Sequence, residues 1–137
     1  MGGCYKHFSK ATLSWSDARK HCGRMKAELP SIHSPEENEF LLTLSSQHEY
    51  NGNDNDNDDY TWLGGSDRET EKLFVWTDQT PWSYVNWVDG EPNDDDGKQD
   101  CILMHTPKSS KDIYKGKWTD YRCNYNSTFI CKLPRTG

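Results

Sequence analysis

The sequence lacks both a long apolar run and a concentration of positive charge. No stretch approaches the ~20 consecutive apolar residues that a membrane span requires, so direct membrane insertion is not expected. The 137 residues carry 16 Lys and Arg against 22 Asp and Glu, which gives a net charge of −6. Because nucleic acids and anionic membranes bind basic surfaces, neither is expected as a partner.

Cysteines are few, and their spacing is not that of a metal site. The five cysteines, at positions 4, 22, 101, 123 and 131, include no CxxC pair and have no nearby pair of histidines. Four of them could form two disulfides in an oxidising compartment. The sequon at Asn126 would be glycosylated only in a secreted or cell-surface protein. Together these signals predict an extracellular location.

Length and aromatic content predict one folded domain. The chain is long enough for a single core and too short for two domains. Six Trp, seven Tyr and four Phe supply bulky side chains for that core. Residues 1–3, Met-Gly-Gly, look like an added start rather than a targeting segment, so the domain is assigned to residues 4–137.

The first third of the chain has helical signals. Residues 14–17 have the spacing of a capping box, and Ser34 stands before Pro35 and two glutamates, as at a helix N-terminus. In the second helix one buried face is predicted, formed by Phe40, Leu41 and Leu44.

From residue 60 onward the pattern changes to short strands separated by turn residues. The clearest candidates are residues 62–64, 74–76, 101–104 and 129–131. Residues 51–59 alternate Asn and Asp, but an EF-hand loop needs Gly at its sixth position and Glu at its twelfth, where this chain has Asp59 and Gly65, so we interpret them as a polar loop. Two helices followed by short strands predict an α+β domain whose long loops need disulfides or bound ions.

The most acidic stretch is residues 89–101, DGEPNDDDGKQDC, with six carboxylates and one lysine. Crowded carboxylates on a folded loop favour a divalent cation with oxygen ligands, and calcium suits because it accepts about six to eight of them. Two further acidic segments, residues 67–71 and 118–120, could converge on the same corner. The alternative is that all three are solvated surface loops.

Several motifs resemble, in order and spacing, the carbohydrate-recognition domain of C-type lectins. They are Trp62-Leu63-Gly64-Gly65, Glu91-Pro92-Asn93, Cys101, Trp118-Thr119-Asp120, Cys123 and Cys131. The resemblance runs from about Cys4 to Leu133. It implies an α+β, C-type lectin-like fold, in which two helices flank small antiparallel sheets and calcium supports a long loop region.

The same resemblance implies a role for each cysteine. Cys22 would pair with Cys131, and Cys101 with Cys123. Cys4 resembles a cysteine whose usual partner lies upstream, so it is either left unpaired by truncation or paired with another chain.

Two calcium sites are implied by the resemblance. A supporting site would use the side chains of Asp67, Glu71, Asp94 and Asp100. A second calcium, which binds the sugar, would use Glu91, Asn93, Gln99 and Asp120, with Thr119 at the remaining position of that site. Pro92 would follow a cis peptide bond that turns the Glu91 and Asn93 side chains outward together.

The order of acid and amide implies the sugar class. In the family a vicinal diol displaces water from calcium, and each hydroxyl donates to a carboxylate and accepts from an amide. Glu91 followed by Asn93 is the mannose-type order, which implies mannose, glucose, N-acetylglucosamine or fucose, whereas Gln-Pro-Asp implies galactose. Gln99 and Thr119 replace the family's usual Glu and Asn, so weaker calcium binding, an altered preference or loss of sugar binding all remain open.

Three functional classes follow. The first is a calcium-dependent glycan-binding module whose partners are glycans or glycoproteins, with an oligomer or a larger parent protein supplying avidity. The second is a protein-binding or structural domain that keeps only the supporting calcium. The third, a glycoside hydrolase, is not expected, because the resemblance supplies no hydrolytic role and the five histidines form no catalytic pattern.

The segment 105–117 is longer than in short family members. It contains Lys108, Lys111, Lys115 and Lys117. We interpret it as a solvated hairpin, and the alternative is a basic wall that contacts acidic glycans.

Overall fold

The computed structural model describes residues 4–45, 60–68, 73–88, 100–106 and 115–133, without the side chains of residues 9–11. In chain order the elements are β1 (Cys4–Leu13), α1 (Trp15–Arg24), α2 (Pro35–Ser45), β2 (Tyr60–Ser66), β3 (Val75–Trp76), β4 (Cys101–His105), β5 (Trp118–Tyr121) and β6 (Ser127–Leu133). The strands lie in one sheet of order β1-β6-β2-β4-β5, with β3 paired to β2. The α+β prediction is confirmed, although the described strands form a single mixed sheet in which β2 and β6 are parallel.

Both predicted helix starts are confirmed by their capping bonds. The Ser14 hydroxyl oxygen accepts from the Asp17 backbone N–H at 3.3 Å, and the Ser34 hydroxyl oxygen accepts from the Glu37 N–H at 3.2 Å. Each bond satisfies a backbone donor that has no partner within the first helical turn. Among the described residues, no helix is long and apolar enough to cross a membrane.

Two strands were missed because their partners are distant in sequence. Residues 4–13, expected to belong to a helical third, form β1, which pairs antiparallel with β6 at the other end of the chain. Residues 118–121 were seen only as an acidic segment, yet they form β5 and pair with β4, Asp120 lying opposite Ile102. In both places a long-range partner decides the backbone conformation, which local propensity does not reveal.

The predicted buried face of α2 is partly wrong. Leu41 is buried and Leu44 is half-buried, but Phe40 is 39% exposed and lies against the Tyr5 ring at a centroid distance of 5.1 Å. The fully buried positions are Asn38, Leu41 and Ser45, because a polar network beneath the helix needs Asn38 there.

The sheet is covered on both faces. Along each strand successive side chains point to opposite sides, so Trp62, Leu103 and Phe129 join one core cluster. Their neighbours Leu63, Ile102 and Ile130 join the other. Helix α1 covers the first face with Trp15, Ala18 and Cys22, and α2 covers the second with Leu41. The four tryptophans at 15, 62, 76 and 118 are at most 2% exposed, which confirms their interpretation as core residues.

Both implied disulfides are confirmed. Cys22–Cys131 ties α1 to β6 with Cα atoms 5.4 Å apart, and Cys101–Cys123 ties the start of β4 to the turn after β5 at 5.2 Å. Cys4 is exposed and bonds to neither pair.

Gly64 marks a close approach between β2 and the segment that precedes α2. Its N–H donates to the Pro30 carbonyl at 2.8 Å. A Cβ atom at this position would lie 2.8 Å from the Leu29 carbonyl oxygen and 3.0 Å from that of Pro30. Backbone atoms cannot rotate away as a side chain would, so only glycine fits.

The substitution Gly64→Ala is therefore expected to lower the free energy of unfolding by about 3 kcal/mol, because overpacking in a core costs about 1–3 kcal/mol. Urea denaturation of the disulfide-intact protein measures it. Gly23→Ala is the control: a Cβ there meets nothing within 4 Å, and alanine in a helix gains up to about 1 kcal/mol over glycine. Equal denaturation midpoints for the two variants would contradict the close approach.

Candidate functional site

Two of the predicted supporting ligands lie side by side at one edge of the sheet. Asp67 follows β2 and Asp100 precedes β4; because these strands are antiparallel, the two residues meet at the same edge. The Asp67 backbone N–H donates to the Asp100 carbonyl at 2.9 Å, and Asp67 is only 1% exposed. The other two predicted ligands, Glu71 and Asp94, lie outside the described residues.

Strand β5, which pairs with β4 on the side away from β2, carries two predicted residues of the sugar site. Asp120 is 1% exposed, whereas Thr119 is half-buried and its hydroxyl donates to the Asp120 carbonyl at 3.4 Å. A carboxylate as buried as Asp120 requires hydrogen bonds or positive charge to offset its desolvation. Glu91, Asn93 and Gln99 lie outside the described residues, as does Pro92.

The two residues that flank the acidic segment 89–99 are held at this corner by backbone hydrogen bonds. On one side the Val88 N–H donates to the Trp118 carbonyl, and the Trp118 N–H donates to the Asn86 carbonyl, each at 2.8 Å. On the other side Asp100 is held by Asp67. Val88 therefore lies beside β5 and Asp100 beside β2, where the described carboxylates are.

The described acids offer the donor type that calcium prefers, since each supplies carboxylate oxygen. Within the described residues alone, no three His, Cys, Asp or Glu side chains form a metal-binding group. Of the acidic residues predicted as calcium ligands, the structure describes Asp67, Asp100 and Asp120; the others fall on residues 71 and 89–99.

A polar network beneath the site holds β5 in place. The Trp118 indole N–H donates to the Asn38 side-chain oxygen at 2.8 Å, and the Asn38 amide in turn donates to the Gly116 carbonyl at 2.8 Å. The Asn86 side-chain amide also donates to the Gly116 carbonyl at 2.8 Å. Sequence reasoning missed Asn38. The only feature that could have indicated its role is that a polar residue stands at a core-facing position of α2.

Aromatic rings from β3 and from residues 82–87 surround Trp118. Trp76, Trp82 and Trp87 lie within 5.6 to 6.1 Å of it between ring centroids. Tyr84 packs on the same ring at 5.8 Å. Burial, together with the Glu36 carboxylate, raises the pKa of Tyr84, so its hydroxyl stays protonated at neutral pH.

A Ser-His-Asp grouping that the sequence analysis did not find joins the segment before α2 to the turn after β3. The Ser31 hydroxyl donates to the Asp78 carboxylate, and His33 Nε2 lies 3.0 Å from the Ser31 oxygen. Burial raises the pKa of Asp78, but hydrogen bonds from Ser31 and Thr80 outweigh it and hold the pKa below its usual value. Serine stands in the middle and is fully buried, so this is not the order of a hydrolytic triad, in which histidine lies between acid and nucleophile.

The other predicted positions that the structure describes are exposed or half-buried. Asn126 is exposed immediately before β6. Lys115 and Lys117 are half-buried at the base of the 105–117 segment, where His105 exchanges backbone hydrogen bonds with Gly116 and Lys117. Lys108 and Lys111 lie outside the described residues.

Comparison with known proteins assigns the fold to a family. The Lectin C-type domain family matches residues 11–133. The chain belongs to the C-type lectin domain family. It is 35% identical over 130 residues to a lectin of Pleurodeles waltl, covering 93% of this chain and 68% of that protein. It is also 35% identical over 134 residues to the low affinity immunoglobulin epsilon Fc receptor of Mus musculus, covering 97% of this chain but only 34% of the receptor.

Two solved structures superpose on nearly the full length of this chain. The cow C-type carbohydrate-recognition domain of CD23, determined in the presence of GlcNAc2Man3 oligosaccharide, superposes with a TM-score of 0.78 at 30% identity, covering 100% of this chain and 92% of that one. Herring type II antifreeze protein superposes with a TM-score of 0.80 at 28% identity, covering 99% and 94%. These lectins and receptors are binding proteins, and this C-type lectin domain is likewise not an enzyme.

The Asn38 network generates a stability prediction. Asn38→Ala is expected to lower the free energy of unfolding by about 2 kcal/mol, because it leaves the buried Trp118 indole N–H without its acceptor and an unpaired buried donor costs about 1–3 kcal/mol. Asn86→Ala is the matched control and should cost about 1 kcal/mol or less, since the Gly116 carbonyl keeps its bond from Asn38. Chemical denaturation compares them; an equal or larger loss for Asn86→Ala would show that the network does not centre on Asn38.

Proposed function

We propose that this domain binds carbohydrate in a calcium-dependent manner at the corner where β2, β4 and β5 meet the segment 89–99. The observation that carries the proposal is the hydrogen bond between Asp67 and Asp100, which joins two acids predicted to share one ion. The anchoring of Val88 on Trp118 supports it, because it starts the acidic segment beside Asp120. The related cow CD23 carbohydrate-recognition domain was determined in the presence of an oligosaccharide, which supports the ligand class.

Two calcium ions have separate roles in this proposal. Asp67, Glu71, Asp94 and Asp100 hold the supporting ion, which offsets the repulsion of their carboxylates and braces the loop. Glu91, Asn93, Gln99 and Asp120 hold the second ion, beside Thr119. Calcium bound there supplies a positive centre that the hydroxyls of a sugar can ligate.

The sugar class follows from the donors and acceptors around that ion. Glu91 accepts a hydrogen bond from one hydroxyl of a vicinal diol, and Asn93 donates to the same hydroxyl. This order favours mannose, glucose, N-acetylglucosamine or fucose. The neighbouring hydroxyl meets Gln99, which adds N–H donors where the family has a carboxylate, and Thr119, which is shorter than asparagine. We therefore expect weaker binding than a Glu and Asn pair would give.

A second candidate function is a protein-binding or structural domain that retains only the supporting calcium. Gln99 and Thr119 favour it, because together they remove one charge and one amide from the sugar site. The similarity to herring antifreeze protein supports it as well, since this fold also occurs in a protein with another named role.

The setting of the domain is extracellular in this proposal. Two disulfides and the exposed Asn126 sequon fit an oxidising, secretory route. A single lectin site of this kind binds weakly, so an oligomer or a larger parent protein would supply avidity for glycans or glycoproteins.

Calorimetric titration of calcium into metal-free protein with excess mannose tests which function holds. Two ions per chain are expected. Asp120→Asn should keep the supporting ion and lose mannose binding. Asp100→Asn should weaken the binding of the supporting ion, and loss of that ion should lower the melting temperature. Glu39→Gln, an exposed acid on α2, should change neither ion. A single ion in the unaltered protein, with no heat from mannose, would reject sugar binding in favour of the second function.

The sugar preference has its own test. The double variant Glu91→Gln, Asn93→Asp exchanges acid and amide. We expect the ratio of mannose affinity to galactose affinity to fall by at least about tenfold, which corresponds to about 1.4 kcal/mol of binding free energy. Inhibition of binding to a mannose surface by free sugars gives the ratio. The single change Asn126→Gln, at the sequon, serves as the control. An unchanged sugar ranking in the exchange variant would show that this motif does not set specificity.

A further inference from the structure

A groove lies along α1 and the end of β2, and none of the predicted calcium ligands that the structure describes lines it. It consists of three hollows with volumes of ≈ 350, ≈ 350 and ≈ 310 Å³, and Trp15 and Arg19 line all three. We refer to it as the Arg19 groove. Arg68 and Ser66 line its middle, where the smallest hollow lies.

Two arginines are held over one fixed ring in this groove. The guanidinium carbons of Arg19 and Arg68 lie 5.8 and 5.4 Å from the centroid of the Trp15 ring. Trp15 is 2% exposed, and its indole N–H donates to the Leu63 carbonyl at 3.0 Å, so the ring is fixed. Cation–π contact with a fixed ring lowers the entropy that an arginine loses on binding a ligand.

Arg68 is positioned a second time by α1. Its Nη1 donates to the Ser16 hydroxyl at 2.9 Å, which joins the end of β2 to the first turn of the helix. The guanidinium has further N–H donors, which a ligand in the middle hollow can use.

The described residues that line the groove carry a net charge opposite to that of the whole chain. Arg19, Lys20 and Arg68 bring three cations, and Glu28 brings one carboxylate, 3.7 Å from Arg19 Nε. Both partners of that ion pair are substantially exposed, so the pair is weak and a ligand can compete with it. A local excess of cations on a chain of net charge −6 favours an anionic ligand at this place.

We propose that the Arg19 groove binds an anionic saccharide, whose sulfate ester or carboxylate sits between Arg19 and Arg68. A guanidinium binds both groups through paired N–H donors. The rest of the lining favours a saccharide over an acidic peptide, because Ser66, Thr77 and Gln79 present hydroxyl and amide groups that suit sugar hydroxyls. Binding here needs no calcium, so it is independent of the sugar site proposed above.

The test is calorimetric titration, at saturating calcium and excess mannose, with three probes: a heparin-derived oligosaccharide, a hyaluronan oligosaccharide and a poly-glutamate peptide. We expect saccharide binding that weakens as sodium chloride rises from about 50 to 200 mM, as ion pairing requires. The heparin and hyaluronan arms separate sulfate from carboxylate recognition. Preference for poly-glutamate over both saccharides would overturn the proposal in favour of an acidic protein partner.

Matched variants locate the site. Arg19→Gln and Arg68→Gln are each expected to weaken binding about tenfold, the loss of one charge-assisted hydrogen bond. Glu28→Gln should strengthen it, because it removes the competing carboxylate. Arg122→Gln is the control: it removes the same charge from an exposed arginine that also lies over a ring, at 5.9 Å from Tyr121, and lines none of the groove.

Three further results would overturn the proposal. An equal loss in Arg122→Gln would mean unspecific attraction to positive charge. Loss of binding in a variant with Ser at positions 108, 111, 115 and 117, with no loss in Arg19→Gln, would place the anion on the lysine segment. Abolition by excess mannose would assign it to the calcium corner. If instead Asp120→Asn loses mannose binding but keeps anionic saccharide binding, the two sites are distinct.

Discussion

Burial of β2 on both faces is the constraint on which the rest of the structure depends. A strand buried on both sides needs partners along both edges and a cover on each face. Here β4 and β6 supply the edges, while α1 and α2 supply the covers. Because β6 lies far along the chain from β2, distant parts of the chain must come together. The Cys22–Cys131 disulfide stabilises this arrangement by linking two residues that are 109 positions apart.

The candidate site is a consequence of that arrangement. Antiparallel pairing of β2 with β4 puts Asp67 beside Asp100, and the pairing of β4 with β5 adds Asp120 at the same end. The Trp118–Asn38–Gly116 network then connects the site to α2. Asp67, Asp100 and Asp120 are therefore brought to one corner by the pairing of these strands.

The two proposed binding surfaces differ in the physics of recognition. At the corner of β2, β4 and β5, crowded carboxylates recruit a cation, and the ligand is neutral. In the Arg19 groove, guanidinium groups fixed over Trp15 face an anion directly. Both surfaces lie near the end of β2, since Asp67 and Arg68 are consecutive. One extended glycan that carries both a diol and a sulfate or carboxylate would gain from binding both.

The sequence by itself determined the helix starts, the central strands, the aromatic core and the family pattern from which both disulfides followed. These features depend on local capping, alternation or fixed spacing, which the amino-acid sequence shows directly. Tertiary structure alone decided that residues 4–13 form a strand, that Asn38 rather than Phe40 faces inward, and that Arg19 and Arg68 share one indole ring. Each of these depends on a partner at least about 30 residues away, and local propensity carries no information about such partners.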